Sequence, residues 1–152
     1  MRIAVGSDER TPLTDAVIGY LKDKGYDVTL HGPLAGAPQT WAQVGLEVGR
    51  AVASGQADEG VLFCWTGTGV SLAANKAPGV RAALCQDSET ARGARRWNYA
   101  NVLALSLRST AWPVAKEIMD AWFSSDNDPS EAENIAMIEK ADRQRSAQDT
   151  VL

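Results

Sequence analysis

The sequence GVLFCWTGTGVS, residues 60–71, decides the fold of this chain. Residues 61–64 are apolar without alternation, which predicts a strand that is buried on both faces. Gly67 and Gly69 then allow the backbone to turn sharply, and a helix is predicted to begin near Val70. A buried strand that leads through a short turn into a helix is typical of a parallel sheet covered by helices on both sides.

The same alternation continues on both sides of this segment. Strands are predicted over residues 2–5, 27–31, 60–64, 81–84 and 101–105. Helices are predicted from Pro12 to just before Gly25 and over residues 41–53, 71–75, 88–97, 110–122 and 130–143. The last helix begins with a capping signature, Ser130 followed by Glu133. Right-handed crossovers between such strands predict an α/β fold, a three-layer α/β/α Rossmann-like sandwich with a five-stranded parallel sheet. No linker divides residues 1–152, so a single domain is expected.

Composition limits the classes of function. The chain has 152 residues, a net charge of −4 and a sequence pI near 5.0, without a Lys/Arg block, so we expect no nucleic-acid partner. No apolar run approaches the roughly 20 residues that cross a bilayer, and the polar start does not resemble a signal peptide, so no membrane partner is expected. Two cysteines without C-x-x-C spacing and a single histidine argue against a zinc site and favour a reduced, cytoplasmic protein.

Ligands of such sheets bind beyond the C-terminal ends of the strands, which points to residues 6–11, 64–71 and 97–101. The N–H groups that open the helix after the glycine turn could hold an anion, either a phosphate or the enediolate that forms next to a carbonyl. A turn of this kind is also common without any ligand, and it matches neither a Walker loop nor G-x-G-x-x-G. Cys64 can likewise be a buried structural thiol or, with a lowered pKa, a base.

A family is indicated by five segments taken together: GSD at 6–8, ASGQAD at 53–58, CWTGTGVSLAANK at 64–76, PGVRAALC at 78–85 and NYANVLAL at 98–105. In order and spacing they resemble the family of ribose-5-phosphate isomerase B and the galactose-6-phosphate isomerase subunits. The resemblance implies interconversion of an aldose phosphate and its ketose through a cis-enediol(ate), without metal or organic cofactor. It also implies a homodimer or homotetramer with active sites at the subunit boundary, the helix at about 130–145 reaching the neighbour.

The resemblance also implies roles for individual residues. Cys64 matches the base that moves a proton between C1 and C2, Thr66 matches a hydroxyl that assists this transfer, and Asp8 matches a carboxylate that binds sugar hydroxyls. The enediolate-binding loop is matched by the amides of Gly67, Thr68, Gly69, Val70 and Ser71. Further contacts to the substrate are expected from Glu9, Arg10, Trp97, Asn98 and Arg108.

Several positions depart from the family pattern. Glu9 stands where a histidine is usual, Trp97 stands where a histidine usually opens the furanose ring, and Trp65 replaces a glycine. Residues 130–134 read SEAEN where basic residues usually bind phosphate. The two tryptophans offer flat apolar faces against which a sugar can stack, or they simply pack against protein.

Phosphate recognition is the property most affected by these changes. Charge-assisted contacts contribute about 1.5–3 kcal/mol each, so phosphate binding should be weak unless Arg10, Arg95 or Arg96 compensates. Three interpretations stay open. The chain is an isomerase of a different sugar phosphate, an isomerase of an unphosphorylated sugar or sugar acid, or a chain that requires a partner subunit.

We therefore predict a cofactor-independent aldose–ketose isomerase of a small sugar or sugar phosphate. The alternative is a non-catalytic or partner-dependent sugar-binding subunit, because galactose-6-phosphate isomerase is assembled from two different chains. Trp97 argues against ring opening, which an open-chain tetrose derivative would not need. His31 is expected at a turn or surface, and Cys85 is expected in the core.

Overall fold

A computed structural model describes residues 1–149 of the chain. In this part the strands are β1 (Arg2–Ser7), β2 (Asp27–His31), β3 (Glu59–Cys64), β4 (Ala82–Leu84) and β5 (Val102–Ser106). The α-helices are α1 (Pro12–Asp23), α2 (Trp41–Ala53), α3 (Thr68–Ala74), α4 (Ser88–Asn98), α5 (Trp112–Phe123) and α6 (Ala132–Asp149), and 3-10 helices cover Gly32–Ala35 and Pro129–Glu131. No helix within residues 1–149 combines the length and apolar character needed to cross a membrane.

The sheet confirms the predicted α/β class. Its five described strands run parallel in the order β2-β1-β3-β5-β4. Side chains that alternate along β1 and β3 enter two separate cores: Val5 and Phe63 pack with α1, α4 and α5, whereas Ala4 and Leu62 pack with α2 and α3. Burial of apolar side chains on both faces of the sheet explains why its strands lack hydrophobic alternation.

Helices α2 and α3 approach each other closely because glycines line their contact. A Cβ on Gly45 would lie 2.6 Å from the Cβ of Ala73, and one on Gly49 would lie 2.9 Å from the carbonyl oxygen of Ala74. Helix α2 starts at a capping box, in which the Thr40 and Gln43 side chains each bond the backbone N–H of the other. The start of α3, which follows the glycine turn, is therefore held against a well-defined helix.

A buried ion pair connects the sheet to α4 and α5. Arg95 Nη2 lies 2.8 Å from Glu59 Oε1, while Trp122 Nε1 donates to Glu59 Oε2 at 2.6 Å. Arg95 Nη1 also donates to the carbonyl of Ala100 at 2.6 Å, and the guanidinium lies 5.2 Å from the centroid of the Trp122 ring. Burial raises the pKa of the Glu59 carboxyl, and the charge of Arg95 opposes that shift.

Three helix starts differ from the sequence-based expectation, and one of them is α5, which begins at Trp112 rather than at residue 110. Helix α3 begins at Thr68 rather than near Val70, because Gly67 adopts a left-handed conformation (φ 78°) that already reverses the chain. The capping box predicted at Ser130 and Glu133 is wrong. Asp128 caps a 3-10 turn instead, its carboxylate accepting from the N–H of Ser130 at 3.0 Å and from the hydroxyl at 2.8 Å.

Helix α6 returns to the loop that follows α3. The carboxylate of Asp142 accepts from the N–H of Gly79 at 2.9 Å, and Arg145 donates to the carbonyl of Lys76 at 3.2 Å. Met137 and Ile138 are exposed on this helix. The helix therefore contacts its own chain near its C-terminal end while keeping apolar side chains in solvent.

Candidate active site

The candidate site lies where the strand order changes direction, between β1 and β3. Ser7 pairs with Phe63 and Cys64 pairs with Ser106, so the C-terminal ends of β1, β3 and β5 lie side by side. Two buried serines hold the loops that leave these ends. Ser106 Oγ donates to the carbonyl of Trp65 at 2.8 Å, and Ser7 Oγ donates to the carbonyl of Glu9 at 2.5 Å. In doubly wound sheets this is the usual position of a ligand.

A cleft of about 390 Å³ opens at this position. Its lining residues are Asp8, Trp41, Cys64, Trp65, Thr66, Thr68, Gly69 and Leu72. The structure thus brings together all three residues predicted to be catalytic, together with part of the predicted enediolate-binding loop. The roles of these residues stay predictions, because geometry alone places them without testing their chemistry.

The loop between β3 and α3 is shaped by Gly67. A Cβ at this position would lie 2.5 Å from Leu84 Cδ1 and 3.0 Å from the carbonyl carbon of Leu105, and the φ of 78° itself favours glycine. Thr66 and Thr68 share a hydrogen bond of 2.7 Å between their hydroxyl oxygens. The first N–H groups of α3 have no acceptor inside the helix, so they are available to a ligand.

The two cysteines differ in their access to this cleft. Cys64 ends β3 and lines the cleft, although most of the residue is covered. Cys85 is in the core, as predicted, where burial and the nearby Asp87 carboxylate raise the pKa of its thiol to about 12. Both thiols are free. Cys64 is therefore the thiol that can reach a bound ligand.

Asp8 supplies the carboxylate of the cleft. It is half-buried at the end of β1, and desolvation raises the pKa of its carboxyl, with a smaller contribution from the neighbouring charge of Glu9. Among the cleft-lining residues, all within the described part of the chain, Asp8 is the single carboxylate, and no Lys, Arg or His is present. No cation therefore lines the cleft.

Most of the predicted peripheral contacts lie outside the cleft lining. Glu9 and Arg10 are exposed beyond Asp8, and Arg10 Nε bonds Asp15 Oδ1 at 2.9 Å. Trp97 is exposed and lies over the backbone of Gly93. The exposed residues Asn98 and Arg108 also do not line it, although the N–H of Arg108 donates to the Trp65 carbonyl at 2.9 Å. In the loop itself, Val70 is part of the core and Ser71 is half-buried.

Arg95 and Arg96 do not provide the cation that phosphate would need in the cleft. Arg95 pairs with Glu59 inside the protein, and the half-exposed Arg96 lies 3.8 Å from Asp128, outside the cleft lining. The buried pair argues against a phosphate contact from Arg95, and compensation by Arg10 or Arg96 stays a prediction. His31 is at the end of β2, as predicted for a turn residue, with Nδ1 3.0 Å from Glu47 Oε1, and it does not line the cleft.

Sequence reasoning missed two residues of the cleft, Trp41 and Leu72. The sequence places Trp41 at the first position of a predicted helix and Leu72 within another predicted helix, and neither position indicates a place in the cleft. Their exposure is the unusual feature, since both are large apolar side chains on helices that bury other apolar side chains, such as Val44 and Val48 on α2 and Val70 on α3. Spacing along the chain does not reveal such exposure, because it depends on how α2 and α3 meet.

Comparison with known proteins decides the family. The model of the Ribose/Galactose Isomerase family matches residues 3–140. The chain belongs to the ribose/galactose isomerase family. Ribose-5-phosphate isomerase B of Escherichia coli is 35% identical over 125 residues, which is 82% of this chain and 84% of that protein. D-erythrulose-4-phosphate isomerase of Pectobacterium atrosepticum is 35% identical over 128 residues, covering 83% of this chain and 84% of that protein.

The fold comparison agrees with the family assignment. The structure of Clostridium thermocellum ribose-5-phosphate isomerase B superposes with a TM-score of 0.88 at 35% identity, covering 95% of this chain and 99% of that one. Membership of the ribose/galactose isomerase family confirms the resemblance inferred from the five sequence segments. Relatives with the same fold act on different sugars, so the family alone does not name the substrate of this chain.

Proposed function

We propose that this chain is an aldose–ketose isomerase of a small sugar or sugar phosphate that works through an enediolate. The observation that supports the proposal most directly is the meeting of Cys64, Thr66 and Asp8 in one cleft beside the loop opened by Gly67. These groups come from the ends of β1 and β3, which are adjacent in the sheet. A base, a hydroxyl and unpaired amides are sufficient for this chemistry.

The proposed reaction moves one proton between neighbouring carbons. The thiolate of Cys64 removes the proton from C2 of the aldose, and the C1 carbonyl oxygen gains the negative charge of an enediolate. Amides at the start of α3 stabilise that charge. Proton exchange between the two oxygens, assisted by the Thr66 hydroxyl, and return of the proton from Cys64 to C1 give the ketose. Thr66 is already oriented by its 2.7 Å bond with Thr68.

Short substrates suit the features of this site. Trp97 does not line the cleft and cannot transfer a proton at neutral pH, so the site lacks the usual group for opening a furanose ring. A tetrose derivative that stays open-chain does not require that step. The relative from Pectobacterium atrosepticum, a D-erythrulose-4-phosphate isomerase, acts on a four-carbon substrate. We propose substrates of the same length class for this chain.

The working form of the protein is proposed to be a homodimer or homotetramer in the cytoplasm. Met137 and Ile138 are exposed on α6, which offers an apolar surface to a second copy at the subunit boundary. The free thiols suit a reducing compartment. A partner-dependent sugar-binding subunit is the second candidate, and the absence of any cation among the cleft-lining residues of the described chain favours it.

NMR in D₂O with open-chain and cyclic C4–C6 aldoses and ketoses, free and phosphorylated, tests the proposal. We expect deuterium to enter at the carbon next to the carbonyl, and Cys64→Ala to abolish this exchange. Cys85→Ala is the matched control, because it removes a thiol that is buried away from the cleft and should retain exchange. Absence of exchange with every compound, from a folded protein of defined molar mass, would favour the partner-dependent subunit.

A further inference from the structure

Three large apolar side chains are exposed around the candidate active site. Trp41, Trp65 and Leu72 have exposed fractions of 46%, 60% and 64%, and all three line the same cleft. Their exposure leaves apolar surface in water at a cost of about 25 cal/mol per Å². Concave apolar surface with a few polar groups is the usual character of a small-molecule site.

The indole of Trp41 is fixed in place by the loop that it contacts. A Cβ on Gly69 would lie 2.7 Å from Trp41 Cε3 and 2.9 Å from Cδ2, so the ring rests directly on the backbone of that glycine. Trp41 is also the first residue of α2, immediately after the capping residue Thr40. Gly45, one turn further along, contacts Ala73 of α3. Trp41 therefore keeps its position relative to the proposed enediolate-binding loop.

Trp65 is held differently, through its backbone. Its carbonyl accepts from Ser106 Oγ at 2.8 Å and from the N–H of Arg108 at 2.9 Å. The side chain stays exposed while both hydrogen bonds fix the peptide unit that bears it. The cleft therefore presents two indoles whose attachment points are rigid, one at the start of α2 and the other in the loop between β3 and α3.

The charge of the cleft limits what can bind between these indoles. The lining formed by residues 1–149 contains the Asp8 carboxylate and no Lys, Arg or His, and the carboxylate repels phosphate or sulfonate. Hydroxyl groups, in contrast, can donate to that carboxylate. The C–H face of a carbohydrate chain is apolar and can stack on an indole. Charge and shape thus favour an uncharged polyhydroxy chain in this position.

We propose that Trp41 and Trp65 form an aromatic subsite that determines specificity by binding the C–H face of a short polyhydroxy chain. An anionic substituent of the substrate, where present, lies outside this subsite. The inference rests on the proposed function in that it assigns the substrate class of the same site. It makes a separate prediction, however: the subsite binds the carbon chain whether or not that chain can be isomerised.

Saturation-transfer NMR with erythritol, ribitol and erythritol 4-phosphate tests the subsite, using the Cys64→Ala protein. These alditols have no carbonyl, so binding is measured without catalysis. We expect saturation of the C–H protons of both free alditols and, because the phosphate lies outside the subsite, also of the C–H protons of erythritol 4-phosphate. Trp41→Leu and Trp65→Leu should each weaken binding by about tenfold, equivalent to about 1.4 kcal/mol. Trp41→Tyr, which keeps an aromatic face, should retain most of the affinity.

Trp112→Leu is the matched control and should leave alditol binding unchanged. Trp112 contacts Tyr20 and lines a different cavity, away from the cleft. Unchanged binding of the alditols in both folded leucine variants at positions 41 and 65 would overturn the inference. A change of molar mass in those variants without loss of binding would identify the indoles as subunit contacts and also overturn it. Binding with the expected pattern, together with no isomerisation by the protein that retains Cys64, would leave the subsite supported and refute the proposed function alone.

Discussion

Replacing Arg95 by methionine tests whether the buried pair with Glu59 holds the fold together. The two charges lie 2.8 Å apart, with only 19% of the Arg95 side chain and 10% of the Glu59 side chain exposed. At an effective dielectric constant of about 20, Coulomb attraction at this distance is about 6 kcal/mol. Desolvation offsets part of this attraction. Loss of one partner should therefore lower the free energy of unfolding by about 3–5 kcal/mol, because a buried carboxylate stays unpaired.

The loss should depend on pH in a defined direction. Burial raises the pKa of Glu59, and removing Arg95 removes the main opposing effect, so the folded-state pKa rises further. A folded pKa above the unfolded value of about 4.3 means that the ionised carboxyl disfavours the folded state. The free energy of unfolding of Arg95→Met should be greatest at a pH below the unfolded pKa of Glu59. It should fall as the pH rises from there through the folded pKa.

Urea unfolding followed by far-UV circular dichroism measures the effect at pH 5 and pH 8. Arg96→Met is the matched control on the same helix, because that side chain is 50% exposed and lies 3.8 Å from Asp128. It should cost at most about 1 kcal/mol. Adding Glu59→Gln to Arg95→Met removes the orphaned charge and leaves an acceptor for Trp122, so most of the stability should return. Equal losses in the two methionine variants, or a loss independent of pH, would refute the reasoning.

Two pairs of glycine substitutions test the packing around the candidate site. Gly67→Ala should abolish isomerisation and strongly destabilise the fold, since its Cβ would meet a leucine side chain at 2.5 Å. Gly79→Ala has a similar φ of 81° but no atom within 4 Å of the added Cβ, so it should lower the free energy of unfolding by only about 1–2 kcal/mol. Equal stability of the two variants would contradict this. Gly45→Ala should destabilise by about 1–3 kcal/mol through contact with α3 at 2.6 Å. Gly19→Ala, in open space on α1, should stabilise by about 0.4–1 kcal/mol, and both are measured by urea unfolding.

Much of the fold was predictable because it depends on local signals. Pro12 opens α1 and Gly25 follows it in the left-handed conformation, as their chemistry indicates. The prediction for β2, residues 27–31, agrees with the structure at both ends, and the other strands differ by one or two residues. The capping box expected at Ser130 is wrong. In such a box the Glu133 side chain would accept from the N–H of Ser130, but Asp128, two residues before Ser130, accepts from that N–H instead. A short capping motif can therefore be assigned only when neighbouring residues that compete for the same N–H groups are also considered.

The sequence by itself determined the alternation of strands and helices, the family, and the placement of Cys64, Thr66 and Asp8 near one another. Periodicity, glycine turns and the geometry of parallel sheets are sufficient for the alternation and for bringing the two loops to one edge of the sheet, since each acts within one element or one crossover. The family followed instead from the resemblance of five segments. The tertiary structure alone decided that Arg95 is committed to Glu59, 36 positions away, and that Trp41 rests on Gly69. The physical reason is that side-chain burial and pairing depend on contacts between elements distant in the chain, where neither spacing nor residue type specifies which groups will meet.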